Sequence, residues 1–458
     1  MGEYLDRAET LLRDVVQSRD ISTLVVLHHL RDLAELLDNL KLYDECRLTG
    51  NCALDLAEAL GRRSLEFRHE QSETLALIAG LSVYKPRACT LFLQAVSIGE
   101  EVVANNPSHS NKITLLNVLH RAACWNTYSL GAHWLERAVQ LMTKELPPTM
   151  VRPHLRVAVY HNYGIALQNL RKYASAIEAY HESISIRRIL AANNQEYDQW
   201  IAKSLVNKAG ALHCIGKYDD AIVAFKEALE IFTILSAHDP FQYREMMAKT
   251  LIAHASTLEK LNHGYEAAVV PEQAISLCRN LAQTGHEWTD ILCNALHSYG
   301  HSLYLLGKHV EAALAYQESI LLWRSRVATD SEHKIFLIAA LHDIANSSNA
   351  LGQCVEANTA AIEALEGNDG RVFEWCNRSP DFKSCFVCQR AITPSSPQDV
   401  SLPLPFLLAN YSRPTEHPGA GTSLTPAETL KPTGETLNVS VHKRRQKFLG
   451  FFRRDRAQ

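Results

Sequence analysis

The chain has 458 residues, 47% of them hydrophobic and 21% charged, which is ordinary for a globular protein and enough to bury a sizeable core. The formal net charge is −4, and residues 1–441 alone carry −10, so a basic body that binds nucleic acid is not indicated. No apolar run reaches the roughly 18 residues of a membrane span, and the acidic start lacks the apolar core of a signal peptide. We therefore expect a cytoplasmic protein whose 11 scattered cysteines are reduced thiols.

An amphipathic segment at residues 3–18 opens the chain, and its spacing predicts a helix. We assign residues 1–26 to an N-terminal capping helix. After it, small residues recur at intervals of 42 to 46 residues. They are Cys46, Ala88, Gly131, Ala176, Ala221, Ala267, Ala312 and Ala357. This interval predicts eight tandem units.

A second set of small residues follows the first set by seven positions. It comprises Ala53, Ala95, Ala138, Ser183, Ala228, Ala274, Ser319 and Ala364. Residues seven apart lie on one face of a helix, where small side chains let a neighbouring helix approach closely. The repeat therefore reflects a packing requirement of the second helix in each unit.

Turn signals stand one turn before each of these helices in the later units. They are Ile215-Gly216, Leu306-Gly307 and Leu351-Gly352, with Leu170-Arg171 and Leu261-Asn262 as variants. Glycine at this point adopts the left-handed conformation that ends a helix. Each unit is thus predicted to be a helix, a turn, a second helix and a loop. Three degenerate units occupy 27–150 and five clearer units occupy 151–370.

These small and Leu-Gly positions, with aromatic residues such as Tyr180, Phe225 and Tyr316 four residues after the first small residue, resemble the tetratricopeptide repeat across about residues 27 to 370. The interval of about 45 residues is similar to the long-helix variety found in kinesin light chains and in fungal or bacterial signalling proteins. The resemblance implies an all-α fold, a right-handed superhelical α-solenoid of about eight antiparallel helix pairs. It also implies that the first helix of each pair lines a concave groove.

The resemblance further implies which side chains point into that groove. Carried onto this sequence, the groove positions are polar and suit a peptide ligand. The candidate peptide-binding residues are Asn117, Asn162, Asn207, His161, Lys203, Lys249, Asn294, His297, His301, His342 and Asn346, with His120 at a further groove position.

Three of these residues, Asn117, Asn162 and Asn207, recur at one position of consecutive units. An asparagine amide both donates and accepts hydrogen bonds, so a ladder of them can hold a peptide backbone. The alternative is that the three face solvent in an unused groove. The next unit has Ala253 at this position, so a peptide held by the ladder would contact only these three units.

Two groups of residues raise the question of a metal. His297 and His301 lie one helical turn apart, with Asp290 upstream, but the glutamate spacing of a zinc protease is missing, and a polar pair is favoured. Cys376, Cys385 and Cys388 have one thiolate spacing that zinc accepts but no local fourth ligand. Free or buried thiols are favoured there, and we predict no metal and no cofactor.

The sequence changes character after residue 370. Residues 371–391 form a cysteine-containing cap segment, and residues 392–441 a linker rich in Pro, Ser and Thr that is predicted to be disordered. Residues 442–458 interleave seven Lys or Arg with aromatic residues. This tail leaves three alternatives open: contact with an anionic membrane, nuclear import, or a solvated tail.

Motifs of catalysis are missing from the sequence. We find no phosphate-binding loop, no nucleophile turn and no dinucleotide-binding glycine pattern. The repeats also take up most of the chain, so we predict a scaffold or adaptor that binds a protein or peptide, and no enzyme. The alternative is a sensor arm resembling those of fungal signalling NTPases and acting in trans, with a hydrolase as a distant third.

Overall fold

A computed structural model describes residues 23–363 apart from gaps at 65–66, 126–128, 193–194, 280–285, 329–332, 354–355, 358 and 361–362. The helix predicted at 3–18, the cysteine cluster, the linker and the basic tail lie outside the described residues. The described residues form two compact units, 23–162 and 163–363. Neither contains a strand among its described residues.

Fifteen α-helices account for most of the described residues. In chain order they are α1 (Thr23–Asn39), α2 (Tyr43–Arg63), α3 (Arg68–Ala79), α4 (Ala88–Asn105), α5 (His109–Trp125), α6 (Ser129–Gln140), α7 (Pro153–Asn169), α8 (Tyr173–Ala191), α9 (Asp198–Cys214), α10 (Tyr218–Ser236), α11 (Pro240–Lys260), α12 (Gly264–Arg279), α13 (His286–Leu305), α14 (His309–Val327) and α15 (Lys334–Ala350). None of these helices combines the length and apolar character needed to cross a membrane.

The helices pack as successive hairpins. In the first unit each helix from α1 to α6 packs on the next, and in the second unit the same holds from α8 to α15. The odd-numbered helices are the first helices of the hairpins, and neighbouring first helices also contact each other, as α11 and α13 do. The predicted all-α fold of stacked hairpins is therefore confirmed within each unit.

The small-residue register is confirmed by burial. All members of the two predicted sets that the structure describes are buried, and Ala221 and Ala312 have no exposed surface. A larger side chain at these positions would have to push two helices apart, since protein interiors are close-packed. The repeat length read from the sequence is thus the length of one packed hairpin.

The predicted turns have the expected backbone. Gly216, Gly307 and Gly352 have φ between 74° and 79°, the left-handed region that favours glycine. Arg171 and Asn262 adopt the same conformation with φ of 59° and 58°, as their place in the register predicts. In each of these turns the residue after the left-handed one donates to a carbonyl five residues earlier, which ends the first helix.

Ion pairs that the sequence reasoning missed connect consecutive second helices in the second unit. Arg279 of α12 donates to Glu318 of α14 at 3.0 Å, and Arg324 of α14 donates to Glu363 at 2.7 Å. The partners are 39 residues apart in both cases, so the pairs occupy one register position. Exposed pairs of this kind contribute little stability, on the order of 0 to 1 kcal/mol each.

Enlarging the small residues tests the register. We expect Ala221→Leu and Ala312→Leu each to lower the free energy of unfolding by about 1 to 3 kcal/mol, because both alanines are fully enclosed. Thermal denaturation followed by circular dichroism measures the effect. Ser325→Leu, at an exposed position of α14, is the matched control and should melt like the wild type. Wild-type stability of both alanine variants would contradict the register.

Candidate peptide-binding surface

Five of the predicted site residues come together on two neighbouring first helices of the second unit. Asn294, His297 and His301 lie on α13, and His342 and Asn346 lie on α15. Helix α13 contacts both α11 and α15, so side chains of the three helices share one surface. We call this set of five residues, with the acids that hold it, the histidine surface.

A buried aspartate organises the centre of the histidine surface. His297 donates from Nε2 to Asp343 Oδ2 at 3.2 Å, and His342 donates from Nδ1 to Asp343 Oδ1 at 2.8 Å. Asn346 lies with its amide nitrogen 3.4 Å from the His342 ring. One carboxylate therefore fixes two imidazole rings from two different helices.

The charge state of Asp343 follows from these contacts. Burial disfavours the ionised carboxylate, but the hydrogen bonds from His297 and His342 outweigh burial and hold the pKa of Asp343 well below its usual range. Asp343 is therefore ionised at neutral pH. A carboxylate in this state accepts hydrogen bonds from both rings even when each histidine is neutral.

An aromatic contact fixes His297 from its other side. Its ring meets the ring of Tyr316 edge-on, with centroids 5.5 Å apart. Tyr316 is buried and packs against the backbone of Gly300, where a Cβ atom would lie 2.8 Å from the Tyr316 ring. Glycine is required at residue 300 because any side chain would displace the tyrosine that supports His297.

A second carboxylate lies beside His301. Glu259 Oε2 of α11 is 3.9 Å from His301 Nε2, and Ser302 donates to Glu259 Oε1 at 2.6 Å. Burial raises the pKa of Glu259, and the nearby His301 and Ser302 only partly offset it. His301 is thus held more loosely than His297, and its side chain is 43% exposed against 28% for His297.

The exposed edges of these rings can bind a peptide backbone. A neutral imidazole that donates from Nε2 to a carboxylate has its acceptor lone pair on Nδ1. Nδ1 of His297 can therefore accept a peptide N–H, and His301 can do so through either ring nitrogen. The half-buried amide of Asn294, one turn before His297 on α13, adds both a donor and an acceptor.

The candidate residues on α9 lie in a cationic environment. Lys203 Nζ sits 4.2 Å from the centroid of the Trp200 ring, and the buried Arg187 guanidinium lies 6.0 Å from the same ring. Burial, and then the charge of Arg187, lower the pKa of Lys203. Asn207, one turn after Lys203, is 3% exposed, and its Nδ2 has no hydrogen-bond acceptor among the described residues.

Lys249 of α11 is the next cation along these first helices. Its ammonium group donates to Glu245, one turn earlier on the same helix, at 2.6 Å. This (i, i+4) pair keeps the Lys249 side chain along its own helix. Lys249 is therefore half-buried beside α11, and its contact with a peptide stays a prediction.

In the first unit, Asn117 of α5 is half-buried, whereas His120 and His161 are buried. The Asn162 amide lies 3.2 Å from His120 Nε2 and 3.2 Å from Cys124 Sγ. The amide nitrogen of Asn162 thus already has partners, unlike that of the enclosed Asn207. The three asparagines predicted to act alike have three different environments, and their ladder stays a prediction.

A metal centre has no support among the described residues, since no three His, Cys, Asp or Glu side chains are grouped to hold an ion. Asp290, considered with His297 and His301, instead accepts two hydrogen bonds from Arg326 at 2.6 and 3.1 Å. His297 and His301 themselves contact different carboxylates, Asp343 and Glu259, and their role as a polar pair stays a prediction.

Sequence reasoning missed the two acids that hold the histidine surface. Asp343 occupies the register position of Asn207 three units later, so extending that position along the chain would have found it. Glu259 stands near the end of α11, where no pattern in the sequence distinguishes it. Its role depends on the packing of α13 beside it.

One family model matches part of the hairpin array. Residues 155–234, which span α7 to α10, match the family described as tetratricopeptide repeat. A search of curated proteins gives no match. The solved structure of the apo form of RapI is similar to this chain, at 13% identity and a TM-score of 0.47. The match covers 61% of this chain and 72% of the RapI chain.

Two further solved structures are similar to this chain. One is a signal transduction ATPase with numerous domains from Pyrococcus horikoshii, which has a tetratricopeptide repeat sensor. It matches at 13% identity and a TM-score of 0.47, and the match covers 79% of this chain and 52% of the ATPase chain. The other is a putative kinesin light chain from Podosopora anserina with nearly identical TPR-like repeats. It matches at 17% identity and a TM-score of 0.37, and the match covers 47% of this chain and 96% of the kinesin light chain.

Proposed function

We propose that this chain, whose residues 155–234 match the tetratricopeptide repeat, is a non-catalytic interaction scaffold that binds an extended peptide of a partner protein on its first helices. Its most favourable binding surface is the histidine surface of α11, α13 and α15. As part of the proposal, the scaffold acts in the cytoplasm. Membrane or nuclear targeting by the tail at 442–458 stays a prediction.

The observation that carries this proposal is the fixation of His297 by Asp343. Binding normally requires side chains to lose rotamer freedom, at a cost of about 0.5 to 1.5 kcal/mol for each rotamer-rich side chain. His297 is already held by a 3.2 Å hydrogen bond and by the Tyr316 ring while it stays 28% exposed. A ligand that meets this ring therefore avoids most of that cost.

An extended backbone matches the spacing of this surface. Packed helices have axes about 8 to 10 Å apart, and an extended chain advances about 3.3 Å per residue. Groups on successive first helices would therefore contact a peptide about every three residues. His297 and His301 would accept backbone N–H groups, and Asn294 and Asn346 would donate to carbonyls.

The test begins with peptides selected against the full chain from a displayed library of random 12-residue sequences. We expect His297→Ala together with His301→Ala to weaken the best peptide by about 5-fold to 150-fold, which corresponds to 1 to 3 kcal/mol from lost hydrogen bonds. Isothermal titration calorimetry measures the affinity. His181→Ala, at an exposed position of the second helix α8, is the control and should bind like the wild type.

Because His297→Ala also removes a donor from buried Asp343, His297→Asn serves as a second variant that retains a side-chain donor. It should preserve the helix content and lose only part of the affinity. Unchanged affinity in the double alanine variant, or failure to select any peptide, would contradict the proposal. Retention of a large NTPase in a nucleotide-dependent manner would instead support the sensor-arm alternative.

A further inference from the structure

The outward face of α14 carries three large aliphatic side chains in contact with solvent. Val310, Leu314 and Leu321 are 56%, 61% and 65% exposed. They are spaced by four and seven residues, so they lie along one stripe of the helix. The stripe is distinct from the histidine surface, since α14 is a second helix.

Among α8, α10, α12 and α14, only α14 has three strongly exposed apolar residues at these register positions, whereas α10 has Val223 at 67% and α12 has Tyr265 at 75% exposure. The same register positions of α8 hold Ala174, Glu178 and Ser185, which suit a surface exposed to water. Single exposed apolar residues are normal on a protein surface, but three along one stripe form a contiguous group. Contiguous exposed apolar groups of this kind mark a surface that another segment covers.

The course of the chain places a candidate segment beside this stripe. Glu363, the last described residue, accepts hydrogen bonds from Arg324 of α14 at 2.7 and 2.8 Å. Arg324 is one turn beyond Leu321 on the same helix. The chain therefore continues towards residue 364 from a point next to the outward face of α14.

Residues 371–391 have the composition to cover the stripe. Four aromatic residues, Phe373, Trp375, Phe382 and Phe386, occur within 14 positions. The nine residues from 364 to 372 can span about 30 Å when extended. Ten residues of helix separate Arg324 from Leu314, which is about 15 Å. The first aromatic residue can thus reach the whole stripe.

We propose that residues 371–391 of the same chain dock on the outward face of α14, with their aromatic side chains against Val310, Leu314 and Leu321. Docking removes apolar surface of both partners from water. A short tether gives the segment an effective concentration in the millimolar range, well above that of a second copy in dilute solution. The chain's own segment is therefore the favoured occupant.

Limited digestion of the full chain with trypsin, followed by mass spectrometry, tests this docking. Cleavage after Arg371, Arg378, Lys383 and Arg390 reports on the segment, and cleavage after Lys443 reports on the tail. We expect the segment to be cut at least about tenfold more slowly than the tail. Leu314→Glu with Leu321→Glu should bring the two rates within about twofold of each other.

Two further variants separate docking from other effects. Val223→Glu, at the register position of Leu314 on α10, should leave the segment protected. Phe373→Ser with Trp375→Ser, which leaves α14 intact, should expose the segment as the leucine variant does. Rapid cleavage of the segment in the wild type, protection that survives both double variants, or protection that falls on tenfold dilution would each overturn the proposal.

Discussion

Lowering the pH from 7 to 4.5 is expected to destabilise the hairpins of α9 to α12, because two histidines buried there must stay uncharged. His213 of α9 is 8% exposed and lies 3.0 Å from the Thr257 hydroxyl of α11 through Nδ1. His254 of α11 is 4% exposed, and neither of its ring nitrogens has a hydrogen-bond partner among the described residues. Charging either ring would place a cation in the packed interior.

The pKa values of these two histidines determine the sign of the pH effect on stability and the pH range in which it occurs. Burial lowers the pKa of both His213 and His254 to about 4, with smaller contributions from the charges of Lys260 and Lys226 respectively. In the unfolded chain a histidine has a pKa of about 6.5. The contribution of the two uncharged histidines to the free energy of unfolding is fully present above about pH 6.5. It is lost as the pH falls towards 4, since in this range only the unfolded chain binds protons at these residues. The loss approaches roughly 3 kcal/mol for each histidine.

Urea denaturation at pH 7.0, 5.5 and 4.5 measures this loss. A double variant, His213→Gln with His254→Leu, should retain much more of its pH 7 stability at pH 4.5 than the wild type does. Asp343 does not interfere, because its pKa is lowered and its effect falls below this window. If the urea midpoint of the wild type stayed constant from pH 7.0 to 4.5, the two histidines would not be the cause of acid destabilisation. The same conclusion would follow if the urea midpoint fell with pH equally in the double variant and in the exposed control His181→Gln.

Truncation of Trp323 is expected to have the second large effect. Trp323 of α14 is 1% exposed and stacks on Phe336 of α15, with centroids 5.0 Å apart and planes 15° from parallel. Trp323→Ala removes this contact and leaves a cavity, at a cost of about 3 to 5 kcal/mol. In a stack of repeats each hairpin depends mainly on its neighbours, so the cost should fall on α13 to α15.

Amide hydrogen exchange, read by mass spectrometry, measures where this cost falls. Peptides of α13, α14 and α15 should exchange about 100-fold faster or more in Trp323→Ala, while peptides of α9 and α10 keep the wild-type rate. Trp323→Phe, which retains an aromatic ring for stacking, should lose much less protection. Uniform acceleration across all hairpins, or none in α15, would contradict local coupling through Trp323.

The hairpin repeat was predictable because its determinants are local. A small residue such as Ala221 or Ala312 is demanded wherever two helices approach closely, so the sequence itself records the interval. Gly307 marks the left-handed end of a helix in the same direct way. Even Arg171, which lacks glycine's freedom, could be placed in its turn by register alone.

The candidate site was predictable only in part. Register places His297 and His342 on first helices, but their joint contact with Asp343 depends on how α13 and α15 pack. The burial of a side chain at a given register position also depends on the helices packed around it. For this reason Asn207 is enclosed while Asn117 is half-buried. The exposed Leu321 could not be told from a core leucine, because apolar residues at helical spacing fit either interpretation.

The histidine surface is tested most directly by photo-crosslinking a selected peptide that carries a benzophenone side chain near its centre. After irradiation with the full chain, mass spectrometry identifies the crosslinked residues. We predict crosslinks to α13, near Asn294, His297 and His301, with further sites on the adjoining faces of α11 and α15. Crosslinks confined to second helices such as α12 and α14, with none on α13, would contradict peptide binding at this surface.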